Sequence, residues 1–204
     1  MAAKPGMTVR RSHILLVISA FLAGLVVFLG VFLFATNYQG TGSGPSAAIG
    51  GPFSLIDGDG RPVTDQDMRG RPFLVFFGYT HCPDICPTTL FEMSEVMRML
   101  GQDADRVGAL FITVDPERDP PAAMKDYLSS FDSHLRGLTG DRAAIDAVEK
   151  AYRVYAKKVP SEKGDYSMDH TALVYLMDKQ GRFVVPFRLN RKPEEAAADL
   201  RSYL

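Results

Sequence analysis

The 204-residue chain has no tryptophan, only two cysteines and only four histidines. Two cysteines allow at most one disulfide, and they cannot complete a metal site alone because such a site needs at least a third ligand. No acidic residue precedes Asp57, and no basic residue lies between Arg11 and Arg61. The chain beyond Arg11 has more acidic than basic residues. This mildly acidic balance argues against a nucleic-acid partner.

Charged residues are also absent from Ile14 to Ala35, an apolar run of 22 residues. As a helix rising about 1.5 Å per residue, this run reaches about 33 Å, enough to cross a hydrocarbon core of about 30 Å. A cleaved signal peptide is the alternative, but its apolar region is usually about 7–15 residues long. The sequence predicts a transmembrane anchor. Because the flanking basic residues precede the apolar run, we expect residues 1–13 in the cytoplasm of a bacterium and residues 36–204 in the periplasm. The protein is then expected to be a single-pass protein of the inner membrane.

Residues 36–50, rich in Gly and Ser, predict a flexible tether of roughly 20 Å. Residues 51–204 predict one folded domain. Its apolar patterns indicate strands at Phe53–Ile56, Arg61–Thr64, Phe73–Phe77, Val107–Val114, Leu135–Leu138, Thr171–Leu176 and Phe183–Phe187, helices near 88–100, 119–131, 141–155 and 194–204, and a long loop or exposed hairpin at 157–169. Strand–helix–strand connections imply parallel pairing, and the terminal hairpins add antiparallel strands. We expect an α/β fold with a mixed central sheet and helices on both faces.

Cys82 and Cys86 lie where the apolar strand Phe73–Phe77 ends and a helix should begin. Residues four apart lie on one face of a helix, so a disulfide and a shared metal ion are both open. The helix N-terminus is expected to lower the thiol pKa and favour the thiolate. The three-residue spacer differs from the Cys-x-x-Cys motif of disulfide oxidoreductases. In an oxidising compartment, a purely structural disulfide is the alternative.

His170 is the candidate third ligand, because it lies where a polar segment meets an apolar strand. A histidine satisfied by hydrogen bonds is the alternative. His13 abuts the apolar span, His134 is predicted to be a surface or capping residue, and His81, the neighbour of Cys82, is predicted to have a supporting or structural role. Two thiolates and an imidazole suit Cu(I), tolerate Cu(II) with a fourth ligand, and hold zinc if a fourth ligand is found.

Acidic residues near these positions are candidates for supporting roles. Asp169 is predicted either to orient the His170 ring or to serve the loop, and Met168 is considered as a soft extra contact. Asp115, at the end of the strand Val107–Val114, is predicted to support the metal-binding loop. Glu117 and Asp119 are predicted either to support the same loop or to cap the next helix.

The segments Gly78–Pro87, Val114–Asp119 and Asp169–Thr171, together with the apolar span, resemble the Sco/SenC family of membrane-anchored assembly proteins of cytochrome c oxidase. The resemblance implies a thioredoxin-like fold and one copper ion per chain, as Cu(I) or Cu(II), bound by Cys82, Cys86 and His170.

The resemblance also implies a partner and two related activities. One is delivery of copper to the binuclear centre of oxidase subunit II. The other is reduction of that subunit's cysteines, in which Cys82 attacks and Cys86 resolves. An upstream copper donor or thiol reductant would then be a further partner. A sensor of redox or copper status is a third hypothesis.

Overall fold

A computed structural model describes residues 11–38, 49–160 and 164–204. The chain divides into two units, Met1–Ala47 and Ala48–Leu204. The described part of the first unit is the helix α1 (Arg11–Tyr38), and the predicted anchor Ile14–Ala35 falls inside it. Among the residues that the structure describes, no helix is long and apolar enough to cross a membrane. Most of the predicted cytoplasmic segment 1–13 and of the tether 36–50 lies outside the described residues.

The second unit alternates strands and helices, as the sequence predicts. Its strands are β1 (Ser54–Asp57), β2 (Pro62–Thr64), β3 (Phe73–Gly78), β4 (Gly108–Thr113), β5 (Leu135–Thr139), β6 (Ala156–Pro160), β7 (Tyr166–His170), β8 (Val174–Met177) and β9 (Phe183–Pro186), and its helices are α2 (Ile85–Leu100), α3 (Pro121–Leu128), α4 (Arg142–Tyr152) and α5 (Pro193–Arg201). Short 3-10 turns at Asp65–Met68 and Gly101–Arg106 lead into β3 and β4.

Seven strands form one mixed sheet in the order β2-β1-β5-β4-β3-β8-β9. The three central strands β5, β4 and β3 are parallel, and the strands on either side pair antiparallel. Every residue of β3 and β4 is buried, as expected for strands covered on both faces. The arrangement is the α/β, thioredoxin-like mixed sheet with flanking helices that the resemblance implies.

The two faces of the sheet carry different helices. On one face Phe76 stacks on Phe111, which in turn packs against Tyr127 of α3, and Cys86 of α2 lies against Gly78 on this face. On the opposite face Phe77 packs against Tyr152 of α4. The alternation of side chains along β3 therefore decides that Cys86 belongs to the Phe76 face.

The helices differ from the predicted ones at their ends: α2 begins three residues earlier than predicted, and α3, α4 and α5 each end about three residues earlier. The helix α4 begins as predicted after Asp141, whose carboxylate caps it by accepting a hydrogen bond from the backbone of Ala144. It ends at Tyr152 because Arg153 turns into the left-handed conformation, with φ of 55°. The helix α3 ends at Leu128 rather than near residue 131.

The predicted alternatives for residues 157–169 resolve in favour of the hairpin. Strands β6 and β7 form a separate two-stranded antiparallel sheet in which Ala156 pairs with His170 and Pro160 with Tyr166. Residues 161–163, which join the two strands, lie outside the described residues. This hairpin places His170 at the end of β7, directly before the short segment that leads into β8.

Candidate metal centre

The two cysteines lie on the connection between β3 and α2. Cys82 closes a turn in which its N–H donates to the carbonyl of Tyr79, three residues before the helix begins. Cys86 lies in the first turn of α2 and is completely buried, whereas Cys82 is half-buried. The backbone N–H of Cys86 points at the Cys82 sulfur, with N and Sγ 3.4 Å apart. Both thiols are free, so the structure shows no structural disulfide between them.

His170 reaches the same place from the far end of the chain. Its ring packs edge-on against Tyr79, with centroids 5.8 Å apart, and against Phe76, with centroids 6.4 Å apart. Its Nδ1 lies 3.2 Å from the backbone carbonyl of Thr171. A carbonyl only accepts hydrogen bonds, so Nδ1 carries the proton of the neutral ring and Nε2 is left with a free lone pair.

The free Nε2 faces the cysteine pair. It lies 3.7 Å from the Sγ of Cys86, and one donor atom from each of Cys82, Cys86 and His170 lies within 4.8 Å of the other two. The sequence-predicted ligand set is therefore brought together on one face of the sheet. Two sulfurs and one imidazole nitrogen at this spacing fit a soft ion such as Cu(I), which accepts a three-ligand site.

Burial sets the protonation states of Cys86 and His170 in the metal-free site. Desolvation raises the pKa of the Cys86 thiol well above its ordinary value, which corrects the expectation of a lowered pKa for this residue: the loss of water around the sulfur outweighs the helix N-terminus. Burial also lowers the pKa of His170, so its imidazole is neutral near pH 7. A metal ion bound here displaces the Cys86 proton, since thiolate is the ligand form.

A buried carboxylate holds the loop that precedes Cys82. Asp119 is fully buried and accepts hydrogen bonds from the backbone N–H of Thr80 at 3.1 Å, from the Thr80 hydroxyl at 2.5 Å and from the Thr113 hydroxyl at 2.6 Å. Of the two roles predicted for Asp119, helix capping is wrong, because Pro120 occupies the cap of α3 and the carboxylate bonds to the loop instead. Thr80 is thereby fixed two residues before Cys82.

Asp115 supports the histidine side of the site rather than the cysteine loop. Its carboxylate accepts hydrogen bonds from Arg118 Nε at 2.5 Å and from the Tyr166 hydroxyl at 2.9 Å. Tyr166 belongs to β7, the strand that ends with His170. Glu117 makes an exposed ion pair with Lys158 of β6, so it too contacts the hairpin instead of capping α3.

Three further predictions concerned single side chains. Asp169 is exposed on the opposite side of β7 from His170, so the backbone of Thr171, not this carboxylate, orients the ring. Met168 is buried on the same side as His170. His81 is more than half exposed, with its Nδ1 3.0 Å from the Thr80 hydroxyl, which agrees with a supporting role.

His134 is not part of the cluster among the side chains that the structure describes. His134 lies between Asp132 and Asp105, at 2.6 Å and 3.2 Å, at the start of β5. The side chain of His13 lies outside the described residues.

Two residues that sequence reasoning did not single out complete the surroundings. Tyr79 forms one wall of the His170 pocket. The guanidinium of Arg118 stacks on the Tyr166 ring at 3.7 Å. Tyr79 adjoins the cysteine motif and was open to prediction from position alone, whereas the pairing of Arg118 with Tyr166 joins residues 48 apart in sequence.

Comparisons with known proteins find similar chains whose structures have copper bound. Bradyrhizobium japonicum ScoI, whose structure has copper bound, is 68% identical, and the match covers 77% of this chain and 100% of that chain with a TM-score of 0.76. The structure of yeast Sco1 with copper bound is 35% identical, covering 77% of this chain and 91% of that one, with a TM-score of 0.68. BsSco, described as a member of the Sco family of cytochrome c oxidase assembly proteins with a disulfide switch, shares the fold at 23% identity and a TM-score of 0.63, over 78% of this chain and 96% of that one.

Longer relatives match over part of their length. The human mitochondrial SCO1 homolog is 40% identical over 159 residues, which are 76% of this chain and 53% of that protein. Protein sco1 of Schizosaccharomyces pombe is 43% identical over 159 residues, which are 76% of this chain and 60% of that protein. The chain thus spans little more than half the length of these relatives. The family model described as SCO1/SenC matches residues 41–204, and the chain belongs to this family.

Proposed function

We propose that this protein is a copper metallochaperone of cytochrome c oxidase assembly. The observation that carries the proposal is the meeting of two sulfurs and a free imidazole nitrogen within 4.8 Å of one another. Relatives with 68% and 35% identity have copper bound in their structures, and the Sco family is one of oxidase assembly proteins. One copper ion per chain is the cargo.

Each of the three residues has its own role in holding the ion. Cys82 and Cys86 supply thiolates, and His170 supplies the Nε2 nitrogen that its hydrogen bond to Thr171 leaves free. This set suits Cu(I) as it stands, and Cu(II) needs one more ligand. Because the ring and the buried sulfur are already in place without metal, little ordering is required on binding.

Release of the ion begins on the side of Cys82. Cys86 is completely buried, while Cys82 is partly exposed on the loop before α2. A partner's cysteine or histidine can reach the ion next to Cys82 and take it by ligand exchange. The client we propose is the binuclear copper centre of oxidase subunit II, which would receive the copper during assembly, and an upstream donor would supply the ion.

We also propose that the domain is anchored in a bacterial inner membrane and faces the periplasm. The uncharged run Ile14–Ala35 lies within the 28-residue helix α1, and its described large apolar residues, such as Leu15, Phe21 and Val26, are exposed. Basic residues precede the run and none follows it before Arg61. Fractionation of cells, with protease added to intact spheroplasts, tests this placement: the domain should be digested and residues 1–13 protected.

Copper binding is tested by titration of the reduced chain with Cu(I) under anaerobic conditions against a competing chelator. We expect one tightly bound equivalent, and His170→Ala should weaken it by about ten- to a hundred-fold or more. His134→Ala is the matched control and should leave the affinity unchanged. Unchanged affinity in His170→Ala would remove the histidine from the site.

Copper delivery is tested by mixing the copper-loaded protein with the metal-free form of the subunit II domain that holds the binuclear centre. Transfer should follow mixing, and His170→Ala should abolish it. Failure of the loaded wild-type chain to transfer copper would leave a copper-binding protein without this client.

Thiol–disulfide exchange is the second candidate, because both thiols are free and their sulfurs lie close together. The Cys82 thiolate would attack a disulfide of the partner, releasing one partner thiolate and forming a mixed disulfide. Cys86 would then attack the Cys82 sulfur and release the second partner thiol, so the partner gains two electrons and this chain ends with a Cys82–Cys86 disulfide. Reduction of a subunit II disulfide should survive His170→Ala, whereas copper delivery should not.

A further inference from the structure

The strand that carries His170 is not hydrogen-bonded into the main sheet. Its strand β7 pairs only with β6, in a two-stranded sheet that shares no ladder with the seven-stranded sheet among the described residues. Most of β6 is exposed to solvent. Side-chain contacts must therefore decide how closely the hairpin, and with it the imidazole, approaches the cysteines on the main sheet.

Arg118 makes the densest set of these contacts. Its Nη1 donates to the backbone carbonyl of Tyr166 at 2.9 Å and lies 3.1 Å from the Asp165 carboxylate, while its Nε donates to Asp115 at 2.5 Å. Its guanidinium lies flat over the Tyr166 ring at 3.7 Å. The Tyr166 hydroxyl closes the loop by donating to the other oxygen of Asp115. The start of β7 is thus held to the segment after β4 from three directions.

The same guanidinium also touches the cysteine side of the centre. It lies 5.7 Å from the centroid of the Tyr79 ring, and Tyr79 meets the His170 ring edge-on. Arg118 is largely buried, and its Nη2 has no hydrogen-bond partner among the described residues. An arginine side chain in such surroundings is held by its ion pair and by the aromatic rings, so it has little freedom to move out into the solvent.

Strand geometry connects this anchor to the metal ligand. Tyr166, Met168 and His170 are two residues apart and so share one side of β7. Arg118 holds the first of them, the hydrophobic core holds the second, and the cysteines meet the third. A strand fixed at its first residue and in its middle has little freedom at its last.

We propose that Arg118 is a positioning residue for copper binding: by clamping Tyr166 and Tyr79 together it keeps Nε2 of His170 within bonding reach of Cys82 and Cys86. This inference rests on the proposed role of His170 as a ligand. Arg118 does not touch the ion. Its loss frees the hairpin, so that the imidazole no longer meets the two sulfurs.

The test is a double-mutant cycle on Cu(I) affinity, with Arg118→Ala, His170→Ala and the double variant in the full chain. Arg118→Ala should weaken Cu(I) binding about ten- to a hundred-fold, the range typical when a group that orients a ligand is lost. In the double variant the loss should be no greater than in His170→Ala, because a histidine that is absent cannot be mispositioned. Losses that multiply, or an unchanged affinity in Arg118→Ala, would overturn the proposal.

Conservative variants separate positioning from a general loss of structure. Arg118→Lys keeps the charge but lacks the planar fork and the stacking surface, so it should bind copper nearly as weakly as Arg118→Ala. Tyr166→Phe keeps the ring and removes only the hydroxyl bonded to Asp115, so its loss should be smaller. Lys157→Ala, which removes an exposed charge from the other side of the same strand β6, is the matched control and should change the affinity less than two-fold.

Hydrogen exchange of the copper-free chain supplies a readout that needs no metal. The amides of residues 166–170 should exchange faster in Arg118→Lys than in the wild-type chain, while those of β3 and β4 should not change. Unchanged exchange in β7 would contradict the proposal. If His170→Ala leaves the Cu(I) affinity unchanged, His170 is not a ligand and the proposed function fails with it. If His170→Ala lowers the affinity but the Arg118 variants leave it unchanged, only the positioning role of Arg118 is wrong.

Discussion

Gly78 is the residue at which packing most directly limits the metal centre. It ends β3, and a Cβ added there would lie 2.7 Å from the Cys86 sulfur and 2.7 Å from Cε2 of Phe111. Neither neighbour is the loose end of a long side chain: Cys86 lies in the first turn of α2, and Phe111 is buried and stacked on Phe76. Gly78→Ala therefore forces the sulfur or the ring to move.

The size of the effect follows from these distances. Ordinary contact begins at 3.4 Å, so the sulfur must recede by about 0.7 Å from a Cβ at 2.7 Å. Metal–ligand distances tolerate about 0.2 Å, and the Cys86 sulfur is only 3.7 Å from Nε2 of His170. We expect a loss of Cu(I) affinity of about ten- to a hundred-fold. Overpacking should cost about 1–3 kcal/mol of stability, offset by about 0.4–1 kcal/mol from the stiffer unfolded chain.

Gly108→Ala provides the matched control. Gly108 begins β4 in the same sheet, and its added Cβ would meet the Cβ of Phe73 at 2.7 Å, at the far end of β3 from the cysteines. This variant should lose stability in urea unfolding but keep its Cu(I) affinity. If Gly78→Ala binds copper like the wild-type chain, or if both variants lose affinity alike, the argument from local packing is wrong.

Three other predictions test separate parts of the domain. Iodoacetamide should label Cys82 before Cys86 in the folded chain, as mass spectrometry can show, because Cys86 is buried and its thiol pKa is raised; equal rates would contradict this. Asp119→Ala should cost about 2–4 kcal/mol in urea unfolding, since it leaves the donors of Thr80 and Thr113 unsatisfied, and a loss below 1 kcal/mol would refute the role assigned to it. The Asp132 carboxylate, together with Asp105, raises the pKa of His134. The stabilisation that protonated His134 gives the fold is therefore complete below about pH 6.5 and is lost as pH rises through the folded-state pKa. His134→Gln should destabilise the chain more near pH 5.5 than near pH 8.5, and an equal effect at both pH values would count against the ion pairs.

The ligand set illustrates what could be predicted from residue types. Cys82 and Cys86 are close in sequence, so their proximity in space follows from local geometry alone. His170 was selected because it lies where a polar segment meets an apolar strand, and the structure places it beside the cysteines. The pKa of Cys86 was predicted in the wrong direction, because the depth of burial depends on how α2 packs on the sheet, which a motif does not reveal.

The supporting residues were harder to predict for the same reason. The sequence left open whether Asp119 caps the next helix or supports the cysteine loop, because its partners Thr80 and Thr113 belong to other strands and loops. Arg118 and Tyr166 are separated in the chain by α3, β5, α4 and β6, and they meet only in the folded domain. A contact between such distant residues cannot be predicted from the pattern of neighbouring residues.

The sequence by itself determined the apolar strands, the cysteine pair at the start of a helix, the candidate third ligand and the resemblance to a family, since all of these depend on neighbouring residues or on residue type. Only the tertiary structure decided that His170 lies on the Phe76 side of the sheet, that its Nε2 is the nitrogen facing the sulfurs, and that Arg118 fixes the hairpin that carries it. Those features arise from contacts between segments distant in the chain, whose distances and burial are set by the packing of the whole domain.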